Sequence, residues 1–124
     1  MKIPGPDHPI TVKPTEGRVT VHWNGQIIAD TTRALTLEEA GFAPVQYIPL
    51  ADVEAGVLES SPHVTYCPYK GDASYYTLNA KGLRILNAVW TYKEPFEAVA
   101  TILDHLAFYP DRVDKIMISQ KATA

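Results

Sequence analysis

Apolar and polar positions alternate in short runs along most of the chain. In Arg18-Val19-Thr20-Val21-His22-Trp23 every second residue is apolar, the period of a strand with one buried face. Asn24-Gly25 follows, and Gln26-Ile27-Ile28-Ala29-Asp30 resumes the run. Asn-Gly between two such runs predicts a β-hairpin, because a type I′ turn needs positive φ at both central positions. Arg33-Ala34-Leu35-Thr36-Leu37 predicts a third strand, although Leu37-Glu38-Glu39-Ala40-Gly41 is able to open one helical turn. Val45-Gln46-Tyr47-Ile48-Pro49 reads as another strand, stopped by its proline. From Leu50 to Leu58, Val53, Val57 and Leu58 share one helical face, and Asp52 and Glu54 stand early, where a helix dipole favours negative charge. A short helix is predicted there, ended by Ser60-Ser61-Pro62.

Val64-Thr65-Tyr66-Cys67 predicts a strand entering Pro68-Tyr69-Lys70-Gly71-Asp72, which has turn composition. Ser74 to Leu78 returns, Asn79 to Gly82 turns again, and Leu83 to Tyr92 reads as a central strand. Pro95 suits the first turn of a helix over Phe96 to Leu103. Asp104 to Tyr109 fits helix or strand, and Pro110-Asp111 turns the chain into a last strand between Arg112 and Ile118. Pro4, Pro6, Pro9 and Pro14 remove backbone donors and predict an extended N-terminal arm without regular structure. The expected organisation is an arm over 1–17, a single β-rich domain over 18–120 and a C-terminal tail over 121–124. Strands divided by turns, with one or two short helices, predict a mostly β fold of twisted antiparallel sheets. No βαβ alternation is present, which argues against a doubly wound nucleotide-binding fold.

Composition narrows the chemistry. With 124 residues the chain suits one domain with one core. A net charge of −3 gives no general basic field for nucleic acid or an anionic membrane, so neither is expected as a partner. Cys67 is the single cysteine, which rules out an internal disulfide and a zinc site built from several thiolates of this chain. Folding without zinc is therefore expected. No His-x-His, His-Glu-x-x-His or phosphate-loop motif occurs, and neither a metal nor another cofactor is expected. The N-terminus lacks the apolar run of a signal peptide, and no apolar stretch approaches membrane-spanning length. These features predict a soluble, cytoplasmic protein.

Thr65-Tyr66-Cys67-Pro68-Tyr69-Lys70-Gly71-Asp72-Ala73-Ser74-Tyr75-Tyr76 resembles the signature of a bacterial family, domain of unknown function 427. Further elements fit that pattern in order. They are Trp23-Asn24-Gly25 with Ala29-Asp30-Thr31, Tyr47-Ile48-Pro49 with Asp52-Val53, Trp90-Thr91-Tyr92 with Pro95, and Ala107-Phe108-Tyr109. Position 76 usually carries tryptophan in the pattern, and tyrosine stands here. The resemblance implies a fold of the Mss4-like, or β-tent, class, without the zinc-binding cysteine pairs found in many members of that class. It implies no reaction. A nucleotidyltransferase-like label attached to the family meets no Gly-Ser plus Asp-x-Asp carboxylate arrangement in this chain, although two-metal transfer needs converging carboxylates.

The loop inside that signature holds the candidate site. Lys70 is an anchor for an anion, or a charge that favours a Cys67 thiolate if the loop turns it inward. Gly71 lets a backbone approach closely. Cys67, Lys70 and Tyr75 are expected to border a concave, partly apolar pocket, with Trp90 or His105 supplying another wall. Cys67, Lys70, Gly71, Tyr75, Trp90 and His105 are thus the expected ligand-binding residues, and no catalytic residue is assigned. The favoured function is a non-enzymatic binding module for a small anionic or aromatic ligand or a peptide. The alternative is a small enzyme using Cys67 or Lys70 with a histidine, the candidates being His22, His63 and His105. Assembly into a homo-oligomer is left open.

Overall fold

The computed structural model describes residues 1–120. The tail expected over 121–124 lies outside the described residues. Among the described residues ten strands carry the fold: β1 (Ile10–Pro14), β2 (Arg18–Trp23), β3 (Gln26–Thr31), β4 (Leu35–Glu39), β5 (Val45–Pro49), β6 (Leu58–Cys67), β7 (Gly71–Ala80), β8 (Leu83–Tyr92), β9 (His105–Phe108) and β10 (Lys115–Ser119). They form a seven-stranded sheet in the order β1-β4-β5-β9-β8-β7-β6 and a three-stranded sheet in the order β10-β2-β3. Every strand pair is antiparallel. The mostly β, antiparallel fold expected from the alternation is the fold found.

The β2–β3 hairpin turns at Asn24 and Gly25, with φ of 53° and 76°, the left-handed values that a type I′ turn requires. Val19, Val21 and Trp23 point inward along β2 while their neighbours reach solvent, and they join Ile28, Leu78, Val89 and Leu106 in a core between the two sheets. A second apolar cluster gathers Leu37, Tyr47, Tyr75, Tyr92, Val99 and Ile102. Its members from β4, β5, β7 and β8 frame the cavity described below.

The structure departs from the sequence expectations in four places. The N-terminal arm is not wholly irregular: β1 runs along β4 from Ile10↔Glu39 to Pro14↔Leu35, and as an edge strand it tolerates Pro14. The helix expected over Leu50 to Leu58 is instead two 3₁₀ turns, Leu50–Asp52 and Ala55–Val57. A bridge between Ala29 and Val53, and a hydrogen bond from the Glu54 amide to the Ile28 carbonyl (2.7 Å), hold the intervening backbone against β3. Pairing there outcompetes an isolated helix of marginal length. Ser60-Ser61-Pro62 does not end an element but is taken into β6, where the register shifts between Ser61 and Val64. β6 is a sheet edge, so Pro62 sacrifices no central ladder bond. Finally, the helix expected after Pro95 is a 3₁₀ segment, Glu97–Ile102, broken by non-helical φ/ψ at Val99.

Candidate functional site

Sheet register assembles the site. Tyr75 on β7 lies opposite Trp90 on β8, and Ala73 lies opposite Tyr92. Cross-strand partners share a face, as do residues two apart on one strand. Trp90, Tyr92 and Tyr75 therefore project together, joined by Tyr47 from β5 and Leu37 and Glu39 from β4. These residues, with Phe42, Ala43, Val45, Lys70 and Tyr109, line a cavity of about 190 Å³.

One end of the cavity is charged. Lys70, only 9% exposed, donates to Glu39 Oε1. The other oxygen, Glu39 Oε2, accepts from His8 Nε2 at 2.7 Å. The His8 ring also stacks on Tyr69, with centroids 4.0 Å apart and planes 6° from parallel. A backbone bond from the Lys2 amide to the Pro68 carbonyl, 2.7 Å, further ties the N-terminal segment to the Pro68-Tyr69-Lys70 loop. That loop is held from the other side by the Phe96 amide, which donates to the Lys70 carbonyl at 3.0 Å.

The remaining walls are aromatic and carry hydroxyls. Trp90 Nε1 donates to the Tyr47 hydroxyl at 3.2 Å, and the two rings meet edge-on. Tyr109 packs against Trp90 with centroids 4.5 Å apart, and the Arg112 guanidinium lies 4.5 Å from the Tyr109 centroid. The Tyr75 hydroxyl is bonded to Thr65 Oγ1 (2.9 Å) and to the Tyr109 hydroxyl (3.4 Å). Burial raises the ionisation of Tyr47 and Tyr92 well above the ordinary phenol range. Tyr109 is pushed up to about 12, by burial first and then by its bond to Tyr75. All three phenols are thus neutral hydroxyls at physiological pH.

Glu39 shows the opposite balance. Burial alone pushes its carboxyl up, but hydrogen bonds from Lys70 and His8 and their charges more than offset this, and the group ionises below the ordinary carboxylate range. A carboxyl with a depressed folded-state pKa contributes stability that is complete above its unfolded value and is lost as pH falls through the folded one. Wild-type protein should therefore lose more stability than Glu39→Gln as pH falls below roughly 4. Melting temperatures of both across pH 2 to 7 check this, and parallel curves would contradict it.

Of the expected site residues, the structure brings Lys70, Tyr75 and Trp90 together along one cavity. Gly71 starts β7 and shapes the backbone beside Lys70, with φ of +112°. Cys67 is half-buried and packs against the same aromatic cluster without lining the cavity. His105 does not belong here. It borders a separate surface hollow with Arg33, Pro49, Leu50 and Asp104, because β9 carries it beyond the aromatic wall and its Nδ1 is occupied by the Leu103 carbonyl at 2.8 Å. The histidine that reaches the Lys70 pair is His8, not His22, His63 or His105. Glu39, His8, Tyr47 and Tyr109 were not among the expected site residues. The alternation that makes Leu35-Thr36-Leu37-Glu38-Glu39 a strand puts Glu39 on the inner face with Leu37, and this was the available signal. Among the described residues no three His, Cys, Asp or Glu side chains are grouped to hold a metal ion.

No curated protein matches the chain at a significant level. A family model described as a domain of unknown function (DUF427) matches residues 11–119, a span that includes all of both sheets except Ile10, with the Lys70 loop and every cavity-lining residue. The chain belongs to the DUF427 family.

Proposed function

We propose that the protein is a non-enzymatic, cytoplasmic binding module whose cavity receives a small ligand with an anionic end and an aromatic or apolar body. The observation that carries this reading is an almost buried ammonium, Lys70, paired with Glu39 at one end of a cavity whose walls include Tyr75, Trp90, Tyr92 and Tyr109. Ligand sites set a few convergent polar groups beside aromatic and apolar side chains. The volume favours a small molecule over a peptide, since about 150 Å³ accommodates one benzene ring.

The test is a set of monocyclic acids and neutral aromatics, screened by ligand-observed NMR against wild type and Ala43→Trp. Ala43 is an exposed residue on the cavity wall, so a large ring there fills the space without entering the core. Binding to wild type that disappears in Ala43→Trp is expected. No binding, or binding that survives the substitution, would overturn the proposal.

A further inference from the structure

The hydrogen-bond inventory of the cavity is unbalanced, and the imbalance specifies a ligand class. Glu39 is the carboxylate in the lining, and each of its oxygens already accepts a bond, one from Lys70 and one from His8. Donors are in surplus. The Lys70 ammonium has three N–H groups and gives one to Glu39. The Tyr47 hydroxyl accepts from Trp90, and among the described residues its own proton meets no acceptor. Tyr92 is 6% exposed, and its hydroxyl makes no side-chain hydrogen bond among the described residues. Among the described residues no fully enclosed side-chain polar atom lacks a partner, so the unpaired Tyr92 oxygen is not sealed in the core, and the residue lines the cavity. Because both phenols stay protonated, they offer O–H groups to whatever enters.

We infer that the ligand is a monocyclic aromatic carboxylate, its ring against Trp90 and its carboxylate accepting from Lys70 and from the Tyr47 and Tyr92 hydroxyls. This inference rests on the cavity being a ligand site at all. A carboxylate brings acceptors and no donor, which the surplus requires, and hydrogen bonds to a charged acceptor are the stronger kind. A ligand ammonium would meet the Lys70 charge and, as its one carboxylate in the lining, a Glu39 already engaged by Lys70 and His8. The volume admits one ring and its substituent. Tyr92 is then a specificity-determining residue, and its hydroxyl contributes to binding without contributing to the fold.

The experiment compares benzoate, benzamide and benzylamine by titration calorimetry with the full chain, as wild type and as Tyr92→Phe. Benzoate should bind about tenfold more tightly than benzamide, and Tyr92→Phe should weaken benzoate about tenfold, the scale of one hydrogen bond to a charged group. The variant's melting temperature should match wild type. If benzamide or benzylamine binds as well as benzoate, or if Tyr92→Phe leaves benzoate unaffected, the ligand class is wrong while the cavity remains a binding site. If none of the three binds, the class is also wrong, and the Ala43→Trp screen decides whether the cavity binds anything.

Discussion

Replacing Lys70 with methionine should destabilise the protein by about 3 kcal/mol, the cost of leaving a buried charge without its partner. Both side chains of the pair are well covered, with relative exposures of 11% for Lys70 and 13% for Glu39, so the screening that makes surface pairs nearly neutral is largely absent. Methionine keeps the length and apolar stem of lysine while removing the charge. Glu39 would then sit beside the cavity held by His8 alone. For a chain of this length the loss corresponds to a melting point lower by roughly 10 °C. A paired substitution separates charge from packing. With Lys70→Met and Glu39→Leu together no unpaired charge remains, and replacing a whole buried pair by apolar residues is often neutral. The double variant should recover most of the lost stability. Urea unfolding of the four proteins in the cycle measures this directly. A single variant within 1 kcal/mol of wild type, or a double variant no better than the single, would show that the pair is not the buried contact described.

Gly71→Ala should cost about 2 kcal/mol and should disturb the site as well as the fold. The φ of Gly71 is +112°, outside the regions that a residue with a Cβ adopts without strain. An added Cβ would stand 3.2 Å from the Glu94 carbonyl oxygen, a backbone atom, and 3.8 Å from the Phe96 ring. Glu94 cannot withdraw easily, because Phe96 is bonded to the Lys70 carbonyl next to it. Relief of the clash therefore has to move Lys70, and with it the charged end of the cavity. Gly25→Ala is the matched control. It also has positive φ, +76°, but meets nothing within 4 Å, so it carries the backbone penalty without the clash. Denaturant midpoints should rank wild type, Gly25→Ala and Gly71→Ala in descending order. Equal losses at the two glycines would show that the contact with Glu94 adds no cost.

What could be read from the chain follows the distance between interacting residues. The Asn24-Gly25 hairpin, β5 and β8 are set by neighbours in sequence, and their local signals suffice. Lys70, Tyr75 and Trp90 were recognisable because they belong to one loop and two consecutive strands that pair with each other. Glu39 and His8 were missed because each completes the charged end across a separation of 31 residues, Glu39 to Lys70 and His8 to Glu39. No periodicity reports such a contact. β1 was hidden for a related reason: proline-rich composition forbids a central strand but permits an edge, and only the position of β4 shows that an edge is available. The segment from Leu50 to Leu58 has a helical face in its pattern, yet the same Val53 that marks this face bridges to Ala29. His105 was expected at the site from its residue type, and its position depends on where β9 enters the sheet.

The cavity bounded by Lys70 and Trp90, proposed above as the ligand site, has an internal reporter. The chain has two tryptophans. Trp90 forms a cavity wall, whereas Trp23 is 2% exposed in the other apolar cluster, between the sheets. In a ¹H–¹⁵N NMR titration with benzoate, the Trp90 indole resonance should shift progressively and saturably. Its N–H donates to the Tyr47 hydroxyl that would meet the carboxylate. The Trp23 indole resonance should stay in place. If both indole signals remain fixed at saturating benzoate, or if Trp23 shifts while Trp90 does not, the cavity is not the binding site.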